Sequence, residues 1–376
     1  MAEARPGEET PADQAPLRAS VHIGYYVHHH GHGHYRRAEA IAKRLRSPVT
    51  LIGSDLPASL PAPLQRLDLP GDTAPGMQVE SFATLHYAPL AVDGLRARMT
   101  LLAQWLHAHW PCLLVVDVSV EVALLARLLG VPTVYVRQHG QRDDAAHLQA
   151  YASASALLAP WPALLETLDS DAGRAGPTAS AIGEVISRTR YSGWLSRYPQ
   201  GRNGPSETGR VLVIIGQGGT AMGAEQLVGL ANACPALRIR VMGLRPGTLT
   251  ALPGNLEDLG HVGEPYEELC RAEIVIGSAG DGVVAEVASL GCHFIAITEE
   301  RPFAEQLQQA RRLDALGLAI GLPAWPDAWQ WPELIARARR LDPQRWARGA
   351  MGDTAANAAR IIEAVAARQW PDGATT

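Results

Sequence analysis

Residues 210–220, Arg-Val-Leu-Val-Ile-Ile-Gly-Gln-Gly-Gly-Thr, run an apolar strand straight into a glycine-rich turn, and a helix-forming stretch begins at Ala224. A strand that ends in glycines and opens on a helix N-terminus offers free backbone N–H groups and the positive end of the helix dipole. A diphosphate fits that description. The arrangement recurs at Gly277-Ser278-Ala279-Gly280-Asp281-Gly282, again behind an apolar strand and ahead of a helix. One such turn is common in proteins, but two in one domain can face a single ligand.

Outward from these turns, apolar runs of strand length alternate with amphipathic runs of helix length, the pattern of parallel sheets covered by helices. In the second half the reading is strands at 210–215, 238–242, 274–277 and 293–297, with helices at 224–234, 265–271, 282–290 and 304–316. In the first half it is strands at 21–27, 49–52, 113–117, 133–136 and 156–158, with helices at 35–46, 95–109 and 120–129. Gly130 and Pro132 stop the last of these.

Between Arg188 and Gly209 the periodicity lapses into Arg, Ser, Tyr, Pro, Gly and Asn, an exposed-linker composition. The expected fold is therefore α/β, with two Rossmann-like domains facing across a cleft. Residues 1–20 form a disordered tail, 21–190 the first domain, 191–209 a linker and 210–376 the second domain. A helix over 343–368 ends the chain and can cross back to the first domain.

Composition narrows the function. The 376 residues are 47% apolar, enough for two buried sheets, and the formal charge is -5. No run of Lys or Arg tracks a phosphate backbone, so nucleic acid is excluded as a partner. Cys112, Cys234, Cys270 and Cys292 form no CxxC pair and read as buried apolar residues. With no apolar leader at residues 1–20 and no apolar run of membrane length, the expected compartment is the cytoplasm.

Two polar features accompany the turns. Glu286 lies four residues after Gly282 on an otherwise small and apolar helix, where a carboxylate can accept both ribose hydroxyls of a nucleotide. The loop 298–306 ends in Glu305 and Gln306, which together supply the acceptors and donors that bracket sugar hydroxyls. In the first half, strand 21–27 leads into His28-His29-His30-Gly31-His32-Gly33-His34. Successive strand residues point to opposite faces and no Cys or paired acid is near, so a metal is not expected. Instead, the glycines present His34 at a helix start facing the cleft, as an imidazole able to take a proton from a hydroxyl. Asp117 closes an apolar strand, and can orient His34 or act as a base itself. Arg137, His139 and Arg142 follow the next strand and can steady an anion.

The glycine loop, the Gly-Ser-Ala-Gly turn with its downstream acid and the Glu-Gln loop together resemble the C-terminal half of family 28 glycosyltransferases. That GT-B family includes the peptidoglycan N-acetylglucosaminyltransferase. The likeness is strongest over residues 210–320. It implies a loop near the diphosphate at Gly218, Gly219 and Thr220, and phosphate contacts at Ser278, Ala279 and Gly280. Ribose would be held by Glu286 and the donor sugar by Glu305 and Gln306. The family also has a Gly-His after its first strand, which marks His34 as base or acceptor-positioning group. Tyr35-Arg36-Arg37 departs from its proline-containing sequence. Gly31, Gly33, His34 and Arg37 also fit the Gly-x-Gly-His-x-x-Arg pattern of a related sugar-nucleotide hydrolase.

The function expected is an inverting transfer of a sugar, UDP-linked by that resemblance, to a hydroxyl acceptor. With no DxD at a strand end, helix N-termini replace a cation, so neither metal nor cofactor is expected. A hydrolase or epimerase on the same fold, or a protein that only binds the sugar nucleotide, are the alternatives. The acceptor is open; a lipid-linked one would bring peripheral membrane contact. Trp325, Trp329 and Trp331 offer a sugar-stacking or membrane-facing surface.

Overall fold

The computed structural model describes residues 21–29, 32–77, 83–166, 177–216, 220, 222–245, 247–248 and 252–371. The expected tail at 1–20 lies outside them. Continuous apolar runs such as Cys112–Asp117, buried along their whole length, form strands covered on both faces. In the first half these are β1 (His22–Tyr26), β2 (Val49–Gly53), β3 (Gln65–Asp68), β4 (Cys112–Asp117), β5 (Thr133–Val136), β6 (Ala156–Ala159) and β7 (Thr189–Tyr191). They make one sheet of order β3-β2-β1-β4-β5-β6-β7. The second half supplies β8 (Glu207–Ile214), β9 (Arg238–Met242), β10 (Leu256–Asp258), β11 (Ala272–Ser278), β12 (His293–Ile297) and β13 (Ile320–Leu322), in the order β10-β9-β8-β11-β12-β13. All the pairings in both sheets are parallel.

Both sheets reverse their winding at one place, between β1 and β4 in the first and between β8 and β11 in the second. At such a switch point the loops leave the strand ends in opposite directions and open a crevice. The helices that follow these strands are α1 (His32–Ala42) after β1, α3 (Val120–Leu128) after β4, α6 (Ala224–Ala233) after β8 and α8 (Asp281–Leu290) after β11. Ser119 caps α3 by accepting from the Val122 N–H at 3.3 Å, and Gly291, at φ 62°, ends α8 in the left-handed conformation.

Four short edge strands, β3, β7, β10 and β13, were not expected; each is three or four residues long and β3 is largely exposed. Also unexpected are α4 (Ala145–Ser153), α5 (Pro177–Arg188) and α10 (Trp331–Arg340). The remaining helices are α2 (Asp93–Ala108), α7 (Tyr266–Arg271), α9 (Glu305–Ala315) and α11 (Thr354–Gln369).

Three expectations need correction. The single helix expected over 343–368 is a 3-10 segment, Pro343–Gly349, and then α11. Gly352 turns the chain at φ 67°, and Asp353 restarts the helix by accepting from the Ala356 N–H at 2.9 Å. The boundary 210–376 needs trimming at its end, because α11 crosses back and places Ala358, Ile362 and Val365 in the same core as Ile23, Tyr25 and Leu113 of the first sheet. The segment 191–209 is an exposed linker only in its second part, mostly exposed from Pro199 on, whereas 192–194 are buried. Trp194 is 3% exposed in a core shared by Trp161 and Leu165 of the first lobe with Leu212, Phe294 and Trp346 of the second. Arg202 donates to the carbonyls of Ala272, Leu290 and Gly291 at 2.9 to 3.0 Å.

The tryptophans also divide. Trp331 is fully buried, with Trp325 against it at 4.9 Å, and of the three in 325–331 only Trp329 stands exposed, so they form no three-ring surface. Cys112, Cys234, Cys270 and Cys292 are buried and unpaired. Among the described residues no helix is long and apolar enough to cross a membrane.

Candidate active site

Adjacent strands β8 and β11 pair Ile214 with Gly277, so the turns that leave them lie side by side. A Cβ on Gly216 would sit 3.8 Å from the Ser278 Oγ, so the two glycine turns share one edge. Gly218 and Gly219 lie outside the described residues. Gly216, Gly280, Asp281 and Gly282 line a cavity of about 370 Å³ together with Gly33, His34, Arg36 and Arg37 of the opposite lobe. Gly280 is the N-cap of α8, so the N–H groups of that helix open toward this space.

Gly243 braces the same edge from β9. Its φ is +90°, and a Cβ there would lie 2.2 Å from the Ile215 carbonyl oxygen. Gly243→Ala is expected to destabilise the protein by about 2 kcal/mol or more, through backbone strain and a clash. Urea unfolding checks this, and an unchanged midpoint would show that the turn does not need the glycine.

The first lobe meets this edge with a polar cluster. His34, on α1, points its Nδ1 at Asp117 Oδ1, 3.1 Å away at the end of β4. Arg37, one helical turn on, grips the same carboxylate with Nε at 3.1 Å and Nη2 at 2.6 Å. The 3.0 Å approach of Arg37 Nη2 to His34 Nδ1 is a meeting of two donors that share one acceptor oxygen. With its Nδ1–H on Asp117, the imidazole keeps Nε2 as its second nitrogen. Asp117 is fully buried. Burial opposes its ionisation, yet Arg37 and His34 outweigh that and hold the carboxyl well below the usual range.

Contacts cross the cleft at several points. The third nitrogen of Arg37 donates to Asp281 Oδ2 at 3.2 Å. Arg142 reaches Glu305 at 3.3 Å and stacks its guanidinium 4.4 Å from the Phe303 ring, while the Gln141 N–H donates to the Phe303 carbonyl at 2.8 Å. Phe303 and Ala304 hold positive φ values of 60° and 51°, a strained entry that aims Glu305 at the cavity. Val118, next to Asp117, is likewise at φ 64°. Strain on both sides of the cleft sits directly beside the polar side chains that face it.

Other expected residues fall differently. Glu286 lines the cavity and accepts from Arg197 Nε at 2.8 Å. Burial raises its pKa, against the pull of Arg197. Burial likewise raises Glu305 and Asp281; the neighbouring Asp281 adds to the rise at Glu305, while Arg142 and Arg37 respectively oppose it. Ser278 is half-buried and Ala279 fully buried behind Gly280. Thr220 is turned away from the cavity, donating its hydroxyl to Glu299 and accepting from the Met222 N–H at 2.9 Å. Gln306 is 5% exposed, and its amide oxygen accepts from the Glu299 N–H at 2.9 Å. Both side chains brace the polar loop, and the Gln306 Nε2 also stands 3.7 Å from where a Cβ on the cavity-lining Gly280 would sit. His139 is buried on Trp161, neutral because burial and then Arg312 push its pKa well below the usual value, and its Nδ1 accepts from Arg312 at 3.1 Å.

Sequence reasoning missed Asp281 as a functional residue, Arg197 and Gln309. Asp281 looked like an ordinary acid at a helix start, and Arg197 stood in the stretch read as linker. Gln309 had a signal: Gln306, Gln309 and Arg312 recur at three-residue spacing on α9 and all are buried, a polar stripe that must find partners inside the protein. With its amide oriented to satisfy both atoms, Gln309 donates to the Ala279 carbonyl at 2.9 Å and to Asp281 at 3.2 Å. Among the described residues no group of three or more His, Cys, Asp or Glu is arranged to hold a metal.

Two parallel-sheet Rossmann-like lobes, facing across a cleft at their switch points and tied by a crossing C-terminal helix, define the GT-B fold. Solved glycosyltransferases share it. UGT89C1 of Arabidopsis thaliana superposes with a TM-score of 0.65 at 15% identity, over 92% of this chain and 99% of that one. CalG4, the calicheamicin glycosyltransferase, gives 0.60 at 18% identity, over 94% and 100%. MurG of Acinetobacter baumannii gives 0.57 at 15% identity, over 92% and 99%. No protein-family model and no curated protein matches the chain by sequence.

Proposed function

We propose that this chain is an inverting glycosyltransferase that takes a sugar from a nucleoside diphosphate, UDP by preference, and hands it to a hydroxyl acceptor. The observation that carries this is the placement of the His34–Asp117 pair directly across the cavity from the N-terminus of α8 and the Gly216 turn. The diphosphate lies on the N–H groups of that helix and of the turns after β8 and β11, and Glu286 accepts the ribose hydroxyls. Glu305 accepts from the donor sugar. His34 Nε2 takes the acceptor hydroxyl proton as the oxygen forms its bond to the anomeric carbon. The bond from that carbon to the diphosphate oxygen breaks on the opposite side, and the diphosphate leaves with the electron pair.

Asp117 is an orienting group rather than a base in this scheme, since both its oxygens are held by His34 and Arg37. Neutral His139 and the Arg142–Glu305 pair close the far side. The UDP preference draws on structures of the same fold, one a UGT from Siraitia grosvenorii with bound UDP and one UGT89C1 with UDP-L-rhamnose. A lipid-linked acceptor with peripheral membrane contact draws on the family resemblance, whereas a reaction in the cytoplasm without metal draws on the sequence, which has no apolar run of membrane length and no DxD at a strand end.

Following UDP release from a panel of UDP-sugars, with and without hydroxyl acceptors, tests the reading. Release that depends on an acceptor is expected. Equal release in water alone makes the chain a hydrolase, and UDP binding with no release makes it a binding protein.

Glu286 adds a pH signature. Its raised pKa means it protonates at higher pH than an ordinary glutamate, and the protonated acid loses acceptor capacity for the ribose. UDP affinity should thus begin to fall, as pH is lowered, before an ordinary glutamate would protonate. Glu286→Gln should weaken binding by about tenfold and flatten that fall. Calorimetric titration at several pH values checks it, and a variant with the wild-type pH profile would remove Glu286 from the ribose site.

A further inference from the structure

Arg37 poses a problem for a base at His34. Its guanidinium lies 3.0 Å from His34 Nδ1 and takes both oxygens of Asp117, so a buried cation stands against the ring that must accept a proton. A second positive charge forming on the ring beside that cation has to be balanced by a nearby anion. Within the first lobe, Asp117 alone would have to serve both partners. The second lobe supplies another carboxylate at that point: Asp281 Oδ2 accepts from Arg37 Nη1 at 3.2 Å, across the cleft.

Asp281 is held for this task. It is the first residue of α8, Gln309 donates to its Oδ1 at 3.2 Å, and His139 Nε2 stands 3.6 Å from that oxygen. An acid on a helix end that faces a diphosphate repels that ligand, so its presence here calls for a reason, and the Arg37 contact supplies one. The groups that face His34 are Arg37 on its own helix, Asp117 from β4, Asp281 from α8, Glu305 from α9 and His28 after β1, whose ring centroid is 5.5 Å away. Arg37 and Asp117 form one neutral pair. Asp281 adds the negative charge that answers His34 when it becomes imidazolium.

We propose that Asp281 is a positioning residue that acts through Arg37: it cancels the guanidinium charge, keeps the Nδ1–H of His34 on Asp117 and leaves Nε2 basic. Because Asp281 begins the helix whose N-terminus receives the diphosphate, the base is fully tuned only while the two lobes meet. This rests on the reading of His34 as the base, but its first test does not require turnover.

The test is an NMR titration of the His34 ring in the full-length protein, with the signal assigned by its loss in His34→Gln. In Asp281→Asn the His34 midpoint should fall by about 0.5 pH unit or more, and Asp281→Glu should restore it. A midpoint unchanged in the Asn variant overturns the proposal. Asp281→Ser carries the same expected fall, so a misfolded Asn variant does not remove the test. With a turned-over sugar nucleotide in hand, the acid limb of kcat/KM should move by the same amount. A ring that shifts while that limb stays leaves the charge balance standing and removes His34 as the base.

Discussion

Replacing His34 with glutamine is expected to lower kcat by about 10³-fold while UDP affinity stays within about twofold. Glutamine can still donate to Asp117, so the buried carboxylate keeps a partner and the fold is spared. What disappears is the ring nitrogen that the proposed reaction uses to remove the acceptor proton. In that proposal the donor rests on Gly216, Gly280 and Glu286, which line the cavity from the other lobe, so its binding should not depend on that nitrogen. Steady-state kinetics with calorimetry on the same preparation separates the two effects. A variant that keeps more than about a tenth of the wild-type kcat would mean that another group takes the proton.

Asp117→Asn should be costly twice over. The carboxylate is fully buried and is gripped by Arg37 and His34, so neutralising it leaves a buried guanidinium uncompensated on that side, at a cost of about 3 kcal/mol. The sign with pH follows from the depressed pKa. The stabilisation by Asp117 is fully present above the unfolded carboxyl value, about 4, and is lost as pH falls toward the folded one. The gap in unfolding free energy between wild type and variant should therefore be constant near neutrality and narrow below about pH 4. Turnover should drop by about 10³-fold or more, because asparagine can also turn its amide toward His34 and impose the wrong tautomer. Urea unfolding at pH 7 and pH 3.5 measures the first effect. A gap that widens in acid would refute the ion-pair account.

The fold was legible in the sequence wherever a strand was covered on both faces, because such strands are unbroken apolar runs. Cys112–Asp117, Thr133–Val136 and His293–Ile297 are of this kind. Edge strands such as Gln65–Asp68 have one exposed side and three or four residues, so nothing in their composition separates them from loop. The placement of His34 with Asp117 was also readable, since Asp117 ends β4 and His34 opens the helix after β1, and a doubly wound sheet brings the ends of those two strands to its switch point. The loop-bracing bonds of Thr220 and Gln306 were not legible, because a polar side chain in a loop can face a ligand, hold the loop or do both, and only the partner shows the second role. Here the partner is Glu299 in both cases. Asp281 and Arg197 act across lobes or from a segment without periodicity, so their partners are hundreds or scores of positions away and leave no local pattern. That the last helix can cross back to the first domain was legible, but not which of its residues enter the first-sheet core.

The account stands or falls on where a nucleoside diphosphate settles. A crystal structure of the protein soaked with a UDP-sugar, or with UDP if the sugar turns over, reads this directly. The account predicts the diphosphate against Gly216 and Gly280 at the start of α8, the ribose on Glu286 and the sugar end toward His34 Nε2. A nucleotide seated elsewhere, or with its diphosphate turned away from that helix end, would contradict it.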